Sequence, residues 1–352
     1  MKKIAIVGTA GIPACYGGFE TLAENLTSYS SVECAYTVYC SGKLYSDRKT
    51  HHNGASLEYI NLNANGSQSI PYDIIALFKS RKFDVILVLG VSGCIFLPFL
   101  RMITKAKIVT NIDGLEWKRD KWSSFIRSFL KFSEKMAVKY SDIVIADNEQ
   151  ITKYVYEQYN IEAKTIAYGG DHVLLSNEIN GNGNYFLTIC RIEPENNIEM
   201  ILDAFSRTTL PLKFVGNWQA NNYGKELYEK YSTFENVELI NPVYNLETLF
   251  ELRANCCGYV HGHSAGGTNP SLVEIMHFSK PIFAFDCSFN RYSTDNSGFY
   301  FKDANDLQNI LLQVSNMATE LEQCASAMHY LAKKKYCWKD ISSAYERIFL
   351  NK

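Results

Sequence analysis

Short apolar runs alternate with longer amphipathic stretches from one end of this chain to the other, and that alternation limits the fold more than any other feature. Runs that are apolar throughout suit strands buried on both faces. Helical periodicity between them suits crossover connections, so the pattern predicts mostly parallel sheets with helices on both sides. In the first half the strand candidates are 3–7, 35–40, 57–62, 85–89, 107–111, 143–146 and 164–167. Helix candidates between them are 19–29, 73–79, 123–140 and 149–159. The polar stretch Asn177-Glu178-Ile179-Asn180-Gly181-Asn182-Gly183-Asn184 has little to bury and reads as a linker. The alternation then restarts, with strands at 185–190, 212–215, 237–240, 258–261 and 281–285. Helices fall at 198–206, 225–231, 246–254 and 270–278, and again from 304 onward.

The chain has 352 residues, and a domain usually takes about 100–200. The expectation is an α/β protein of two Rossmann-like domains facing across a cleft. The first spans 1–176 and the second 184–335, and a last helix within 336–352 is expected to pack back on the first. Ligands of such sheets bind outside the carboxyl ends of the strands, so functional residues are expected in the loops just after strands.

Composition excludes several classes. With 47% apolar and 20% charged residues the chain is neither disordered nor fibrous. A net charge of −2 gives no reason to expect a nucleic-acid partner. None of the ten cysteines forms a C-x-x-C pair, and most sit in apolar runs, which favours a reducing cytoplasm. The start, Met1 to Gly8, has too short an apolar run for a signal peptide and reads as a first strand. The long uncharged run Val85 to Leu100 is broken by Gly90, Gly93 and Pro98 and reads as strand, turn and helix start.

Four loops carry chemistry. After the first strand, Gly8 to Thr21 leads into a helix near Phe19, and Gly17-Gly18 lets a ligand approach the backbone and exposes N–H groups to a phosphate. The spacing matches neither G-x-G-x-x-G nor G-x-x-x-x-G-K-[ST], so a dinucleotide fingerprint and a Walker loop are both unsupported. After a later strand comes His261-Gly262-His263-Ser264-Ala265-Gly266-Gly267-Thr268-Asn269-Pro270-Ser271-Leu272-Val273-Glu274. Asn269 is a good N-cap and Pro270 a good first helical residue. Gly267, Thr268, Asn269 and Ser271 would offer amides to an anion, with His263 nearby. Glu274, a carboxylate, would take the hydroxyls of a ribose. Arg191, after the strand 185–190, suits a diphosphate, or else a salt bridge to Glu193 or Glu195. The last loop, Asn111 to Trp122, packs Asp113, Glu116, Trp117, Lys118 and Arg119 together, a set suited to stacking on a sugar and accepting a proton. No Asp-x-Asp pair occurs, and His261 and His263 have no third ligand near them in sequence, so no metal and no cofactor is expected.

At these residues the chain resembles glycosyltransferase family 4, the retaining GT-B enzymes, and most of all its bacterial subgroup of rhamnosyltransferases of capsule and O-antigen assembly. The resemblance rests on Gly11-Ile12-Pro13-Ala14 with Tyr16-Gly17-Gly18-Phe19-Glu20-Thr21, and on Asp113-Gly114-Leu115-Glu116-Trp117-Lys118-Arg119 with Lys121-Trp122. It continues through Tyr168-Gly169-Gly170-Asp171, Arg191-Ile192-Glu193-Pro194-Glu195-Asn196-Asn197 and Gly262 to Glu274, covering nearly the whole chain in order. It implies a nucleoside diphosphate sugar donor, dTDP-rhamnose in this subgroup, held mainly by the second domain. It implies a glycan or lipid-linked acceptor on the first domain, with Tyr16, Trp117, Lys118 and Arg119 as contacts and Asp113 and Glu116 as catalytic groups. Three positions depart from the broader family: Gly266 stands where it has the first of two paired glutamates, Asn196 where it has a lysine, and Asp113 where it has a histidine.

Between Lys118 and Lys139 seven basic residues face only Asp120 and Glu134, with aromatic residues interleaved. Such a helix suits the anionic inner face of the plasma membrane, as a peripheral contact, or plain solvent. Two rival functions stay open on the residues alone: a sugar-nucleotide epimerase and a non-catalytic nucleotide-sugar binding protein.

Overall fold

The computed structural model describes residues 1–351 except 16, 113, 116, 118–122, 177–180 and 182. The chain divides into two compact units, Met1–Tyr168 with Trp338–Lys352, and Gly169–Cys337. The first division falls ahead of the Asn/Gly-rich stretch for a local reason. The Gly170 N–H donates to the Tyr336 carbonyl at 2.8 Å. A Cβ on Gly170 would lie 2.6 Å from the Val273 carbonyl oxygen, so the backbones approach as only glycine permits. The chain is therefore anchored on the second unit before residue 177.

In the first unit the strands are β1 (Lys2–Val7), β2 (Cys34–Ser41), β3 (His51–His52), β4 (Ala55–Ile60), β5 (Val85–Leu89), β6 (Lys107–Asn111), β7 (Ile143–Ala146) and β8 (Ala163–Thr165). Their order is β3-β4-β2-β1-β5-β6-β7-β8, and only the short β3–β4 pair is antiparallel. Ile4, Ala5, Ile6 and Val7 are fully buried, as a central strand covered on both faces requires. The helices are α1 (Gly18–Ser28), α2 (Ser69–Lys79), α3 (Leu97–Ile103), α4 (Ser124–Tyr140) and α5 (Glu149–Tyr159). The β1-to-β2 connection runs across the sheet opposite to those through α2 to α5. Right-handed crossovers therefore put α1 on one face and α2 to α5 together on the other. Helix α2 starts earlier than the expected Asp73, because Pro71 lies in its first turn, where a missing N–H costs nothing.

Asp73 on α2 is 7% exposed, and burial raises its carboxyl to about 8, opposed by the Gly93 backbone N–H. A raised folded-state value means that Asp73 favours the fold fully below pH 4 and that this contribution is lost as pH rises through about 8. Asp73→Asn is expected to remove a slope of roughly 1.4 kcal/mol per pH unit between pH 5 and 8. Denaturant midpoints measured across that range check it; parallel slopes in the two proteins would refute it.

In the second unit the strands are β9 (Tyr185–Ile189), β10 (Leu212–Val215), β11 (Val237–Ile240), β12 (Cys256–His261), β13 (Ile282–Phe285) and β14 (Phe299–Phe301), in the order β11-β10-β9-β12-β13-β14, all parallel. Its helices are α6 (Ile198–Ser206), α7 (Asn222–Tyr231), α8 (Leu246–Asn255), α9 (Pro270–Met276), α10 (Ser288–Ser293), α11 (Ala304–Gln313) and α12 (Ala318–Lys335). The core is aromatic: Phe186 packs edge-on against Phe205 and Phe283, and Phe214 against Trp218. Each such buried ring stabilises by about 1.5–3 kcal/mol over its exposed state.

The last helix, α13 (Trp338–Leu350), belongs to the first unit. Trp338 meets Tyr168 edge-on at 4.8 Å. Glu346 accepts the Ser31 N–H at 2.9 Å and the Tyr36 hydroxyl at 3.2 Å, and the Tyr345 hydroxyl accepts from Asn111 at 2.8 Å.

Candidate functional site

In the second unit the chain lays down β9, moves outward through β10 and β11, then returns to place β12 against the other side of β9. The reversal between β9 and β12 is where an open parallel sheet opens a crevice beyond its strand ends. Arg191 follows β9. His263, Gly267, Thr268, Asn269, Ser271 and Glu274 follow β12. Within this unit the sheet therefore brings together the two segments that the sequence singled out.

Backbone-directed amides tie these loops to each other. Asn196 Nδ2 donates to the Arg191 carbonyl and Asn197 Nδ2 to the Gly262 carbonyl, both at 2.8 Å. The Ser264 N–H and hydroxyl donate to the Glu195 carbonyl at 3.0 and 2.8 Å. A Cβ on Gly262 would come within 2.2 Å of the Asn196 carbonyl oxygen, so the glycine is what admits the contact. Asn196, at the position where the resembled family has a lysine, is 3% exposed and serves as this brace. The Arg191 side chain is exposed and, among the described residues, enters no ion pair, so the salt bridge to Glu193 or Glu195 is not formed.

Asn269 stands at the N-cap of α9 with extended backbone but its side chain makes no capping hydrogen bond, while Pro270 opens the helix as expected. Gly266 has φ +118°, with only the Asn269 amide nitrogen within 4 Å of a Cβ built there. A glutamate would be strained at that φ, which explains why glycine holds this position. Glu274 is less free than expected. Its Oε2 accepts a short charge-assisted bond from Arg253 Nη2 on α8, and its Oε1 lies 3.5 Å from His172 Nε2. The side chains of Arg253 and Glu274 are 6% and 13% exposed. Burial lowers the pKa of His172, against the pull of Glu274. His261, the last residue of β12, is 1% exposed, and burial lowers it to about 3, so it stays neutral. Its ring stacks on His263 at 4.4 Å.

In the first unit the reversal lies between β1 and β5, and the loop after β1 leads to Gly17 and Gly18. Gly17 has φ +132° and caps α1. Glu20 folds back over this turn, its Oε1 accepting the Ala10 N–H at 2.6 Å and the Thr9 hydroxyl at 3.0 Å. A carboxylate therefore already sits at the helix end where the glycines were expected to receive a phosphate. The Trp117 Nε1–H donates to Glu134 Oε2 at 3.1 Å, and Lys131 Nζ lies 4.5 Å from the centre of a Trp117 ring. Tyr16, Asp113, Glu116, Lys118 and Arg119 lie outside the described residues.

Comparison with known proteins decides what such a sheet carries. Residues 175–327 match the family model described as glycosyl transferases group 1. The second unit carries a glycosyltransferase domain. Residues 1–171 match a domain of unknown function, DUF1972. No curated protein matches the chain in sequence. Among solved structures it is similar to sucrose-phosphate synthase from Thermosynechococcus elongatus, at TM-score 0.77 and 14% identity over all of both chains. It is also similar to HepE from Anabaena in complex with UDP-glucose, at 0.77 and 14% over all of both chains. S. aureus MnaA with UDP gives 0.67 and 14%, over all of this chain and 97% of that one. The fold of the chain is GT-B, two parallel-sheet α/β domains.

Sequence reasoning missed Arg253, His172 and Glu20. Arg253 and His172 flank Glu274 from distant parts of the chain, and no spacing rule joins residues 172, 253 and 274. Glu20 had a signal, an acid one turn after a glycine-rich helix start.

Proposed function

We propose that the chain is a glycosyltransferase that binds a nucleoside diphosphate sugar in its second unit and transfers the sugar, with retention of anomeric configuration, to a lipid-linked or oligosaccharide acceptor in bacterial surface polysaccharide synthesis. The observation that carries the donor reading is Arg191. It is an exposed guanidinium with no ion-pair partner among the described residues, at the carboxyl end of β9, beside the loop after β12. A guanidinium with no ion pair among the described residues, on a loop that neighbouring amides hold in place, is available for the charge that grows on the β-phosphate as the sugar–oxygen bond breaks. Main-chain groups of Gly267, Thr268, Asn269 and Ser271, and His263, complete the diphosphate contacts in this reading. Glu274, oriented by Arg253, keeps lone pairs for the ribose hydroxyls. The HepE structure with UDP-glucose supports the donor class, and the sequence motifs support dTDP-rhamnose as the donor.

In the first unit, Asp113 or Glu116 takes the proton of the acceptor hydroxyl, while Tyr16, Trp117, Lys118 and Arg119 hold the acceptor. Glu20→Gln tests the glycines separately: it tightens the donor if the amides of Gly17 and Gly18 meet its phosphates.

A thermal-shift screen of nucleotide sugars tests the whole reading. A ligand at a hundred times its Kd adds about 2.7 kcal/mol, so the second unit is expected to melt roughly 5–10 °C higher with dTDP-rhamnose. Asp113→Asn and Glu116→Gln are expected to keep that shift and lose turnover. If no nucleotide sugar shifts the protein, or if Arg191→Ala and Glu274→Gln both leave the shift whole, the donor site is elsewhere. A larger shift with a UDP-sugar would replace the rhamnose donor and keep the site. Epimer formed without acceptor would replace transfer.

A further inference from the structure

Helices α3 and α4 share one layer on one face of the first unit's sheet, and their outward sides are apolar and basic. On α3 the outward stripe is Phe99, Met102 and Ile103, at helical spacing, with Met102 80% exposed. On α4, Phe125 and Phe132 stand two turns apart on the outer face, 82% and 50% exposed. The two helices run side by side. The Ile95 N–H just before α3 donates to Ser133 Oγ at 3.1 Å, and Arg101 Nε donates to the Tyr140 carbonyl at 2.6 Å. These anchors lie on the flank of α4 that is nearer to Phe132 and Phe125 than to its lysines, so the apolar faces of α3 and α4 adjoin.

Lys131, Lys135 and Lys139 form the other edge of the outer face of α4, and all three are exposed. No acid of these helices balances them. Helix α3 has none, and Glu134, the single acid of α4, is 2% exposed and holds the Tyr154 and Tyr159 hydroxyls at 2.7 Å. Asp142, just past α4, pairs with Arg101 at 2.8 Å. An open groove lined by Lys131, Lys135 and Gln158 lies along the basic edge, offering two ammonium groups and a carboxamide.

We propose that the α3–α4 face docks on an anionic lipid bilayer. Phe99, Met102 and Phe125 enter the boundary between headgroups and chains, while Lys131, Lys135 and Lys139 meet lipid phosphates. Charge complementarity selects the occupant: large exposed apolar side chains beside lysines that no acid of α3 or α4 pairs are the composition of an interfacial helix. Among the described residues no helix is long and apolar enough to cross a membrane, so the contact is peripheral. The proposal does not rest on the donor site.

Flotation of the full chain with vesicles tests it, comparing phosphatidylcholine alone with vesicles containing about one-third phosphatidylglycerol. Binding is expected to the anionic vesicles only, and to fall in about 1 M salt, where the Debye length is roughly 3 Å. Near an anionic surface each lysine contributes about a fivefold factor, so Lys131→Gln with Lys135→Gln is expected to weaken partitioning roughly 25-fold at an unchanged melting temperature. Phe125→Ser with Met102→Ser is expected to weaken it as well, through lost insertion. The proposal fails if anionic vesicles do not bind the chain, if both pairs of substitutions leave partitioning unchanged, or if the chain forms a dimer in solution that Met102→Ser dissociates, since the face would then be an interface between copies.

Discussion

Arg253→Met is expected to lower the melting temperature of the second unit by about 6–20 °C, while Glu274→Gln with Arg253 intact costs less. The physical reason is the position of the pair. The side chains of Arg253 and Glu274 are 6% and 13% exposed, and Glu274 gains its second neighbour, His172, only at 3.5 Å. Removing the guanidinium leaves a carboxylate that is out of water and without its main partner. Breaking one side of a buried pair typically costs about 3–5 kcal/mol, and each kcal/mol moves a unit of this size by roughly 2–4 °C. Glu274→Gln keeps an acceptor oxygen for Arg253, so part of the hydrogen bonding survives. A combined Arg253→Met, Glu274→Leu variant removes both charges and is expected to recover much of the stability, because apolar replacement of a whole buried pair is often near neutral. That variant would lose nucleotide binding while staying folded. Calorimetry of the three proteins checks the series. Equal melting temperatures in Arg253→Met and the parent would mean that Glu274 finds another donor or reaches water.

That arrangement also shows where reading the sequence stops. Strands such as β1 and β5 were legible because burial on both faces makes their central stretches apolar: after two exposed lysines Ile4 to Val7 of β1 are buried without exception, as is all of Val85 to Leu89. Strand β14, only Phe299–Phe301, and β3, only His51–His52, are too short to carry any period. Helix α10, Ser288–Ser293, was missed because its sequence, Ser-Phe-Asn-Arg-Tyr-Ser, has little helix propensity; its Asn290 and Ser293 are buried, and Asn290 Nδ2 holds the carbonyls of His263 and Phe285 at 2.9 Å. The loops after β9 and β12 were legible because glycine, an Asn-Pro helix start and a lone arginine each have a local physical meaning. The partners of Glu274 were not, since three residues from three segments meet only after the second sheet has formed. Glu134 misled in the same way. In the sequence it tempers the basic stretch, whereas in the fold it is turned inward onto Trp117, Tyr154 and Tyr159, so the outer face of α4 is more basic than its composition suggests.

Arg191→Ala is expected to leave the fold intact and to slow sugar transfer by about 100- to 1000-fold, the usual effect of removing one preorganised donor to a developing oxyanion. The structure separates these two consequences. The Arg191 side chain is exposed and, among the described residues, supports no ion pair, whereas its carbonyl, which the substitution keeps, is what Asn196 holds at 2.8 Å. Exposed substitutions of this kind usually stay within about 0.5 kcal/mol, so the melting temperature should move by no more than roughly 2 °C. Ground-state donor binding should weaken less than the rate, because the charge on the leaving phosphate rises only as the bond to the sugar breaks. Arg191→Lys should restore part of the rate, since it returns the charge without the bidentate fork. Single-turnover rates with saturating donor and a soluble acceptor, beside equilibrium donor titrations, make the comparison. A rate within threefold of the parent would move the neutralising charge to another residue, and a loss confined to affinity would make Arg191 a binding group for the ground state alone.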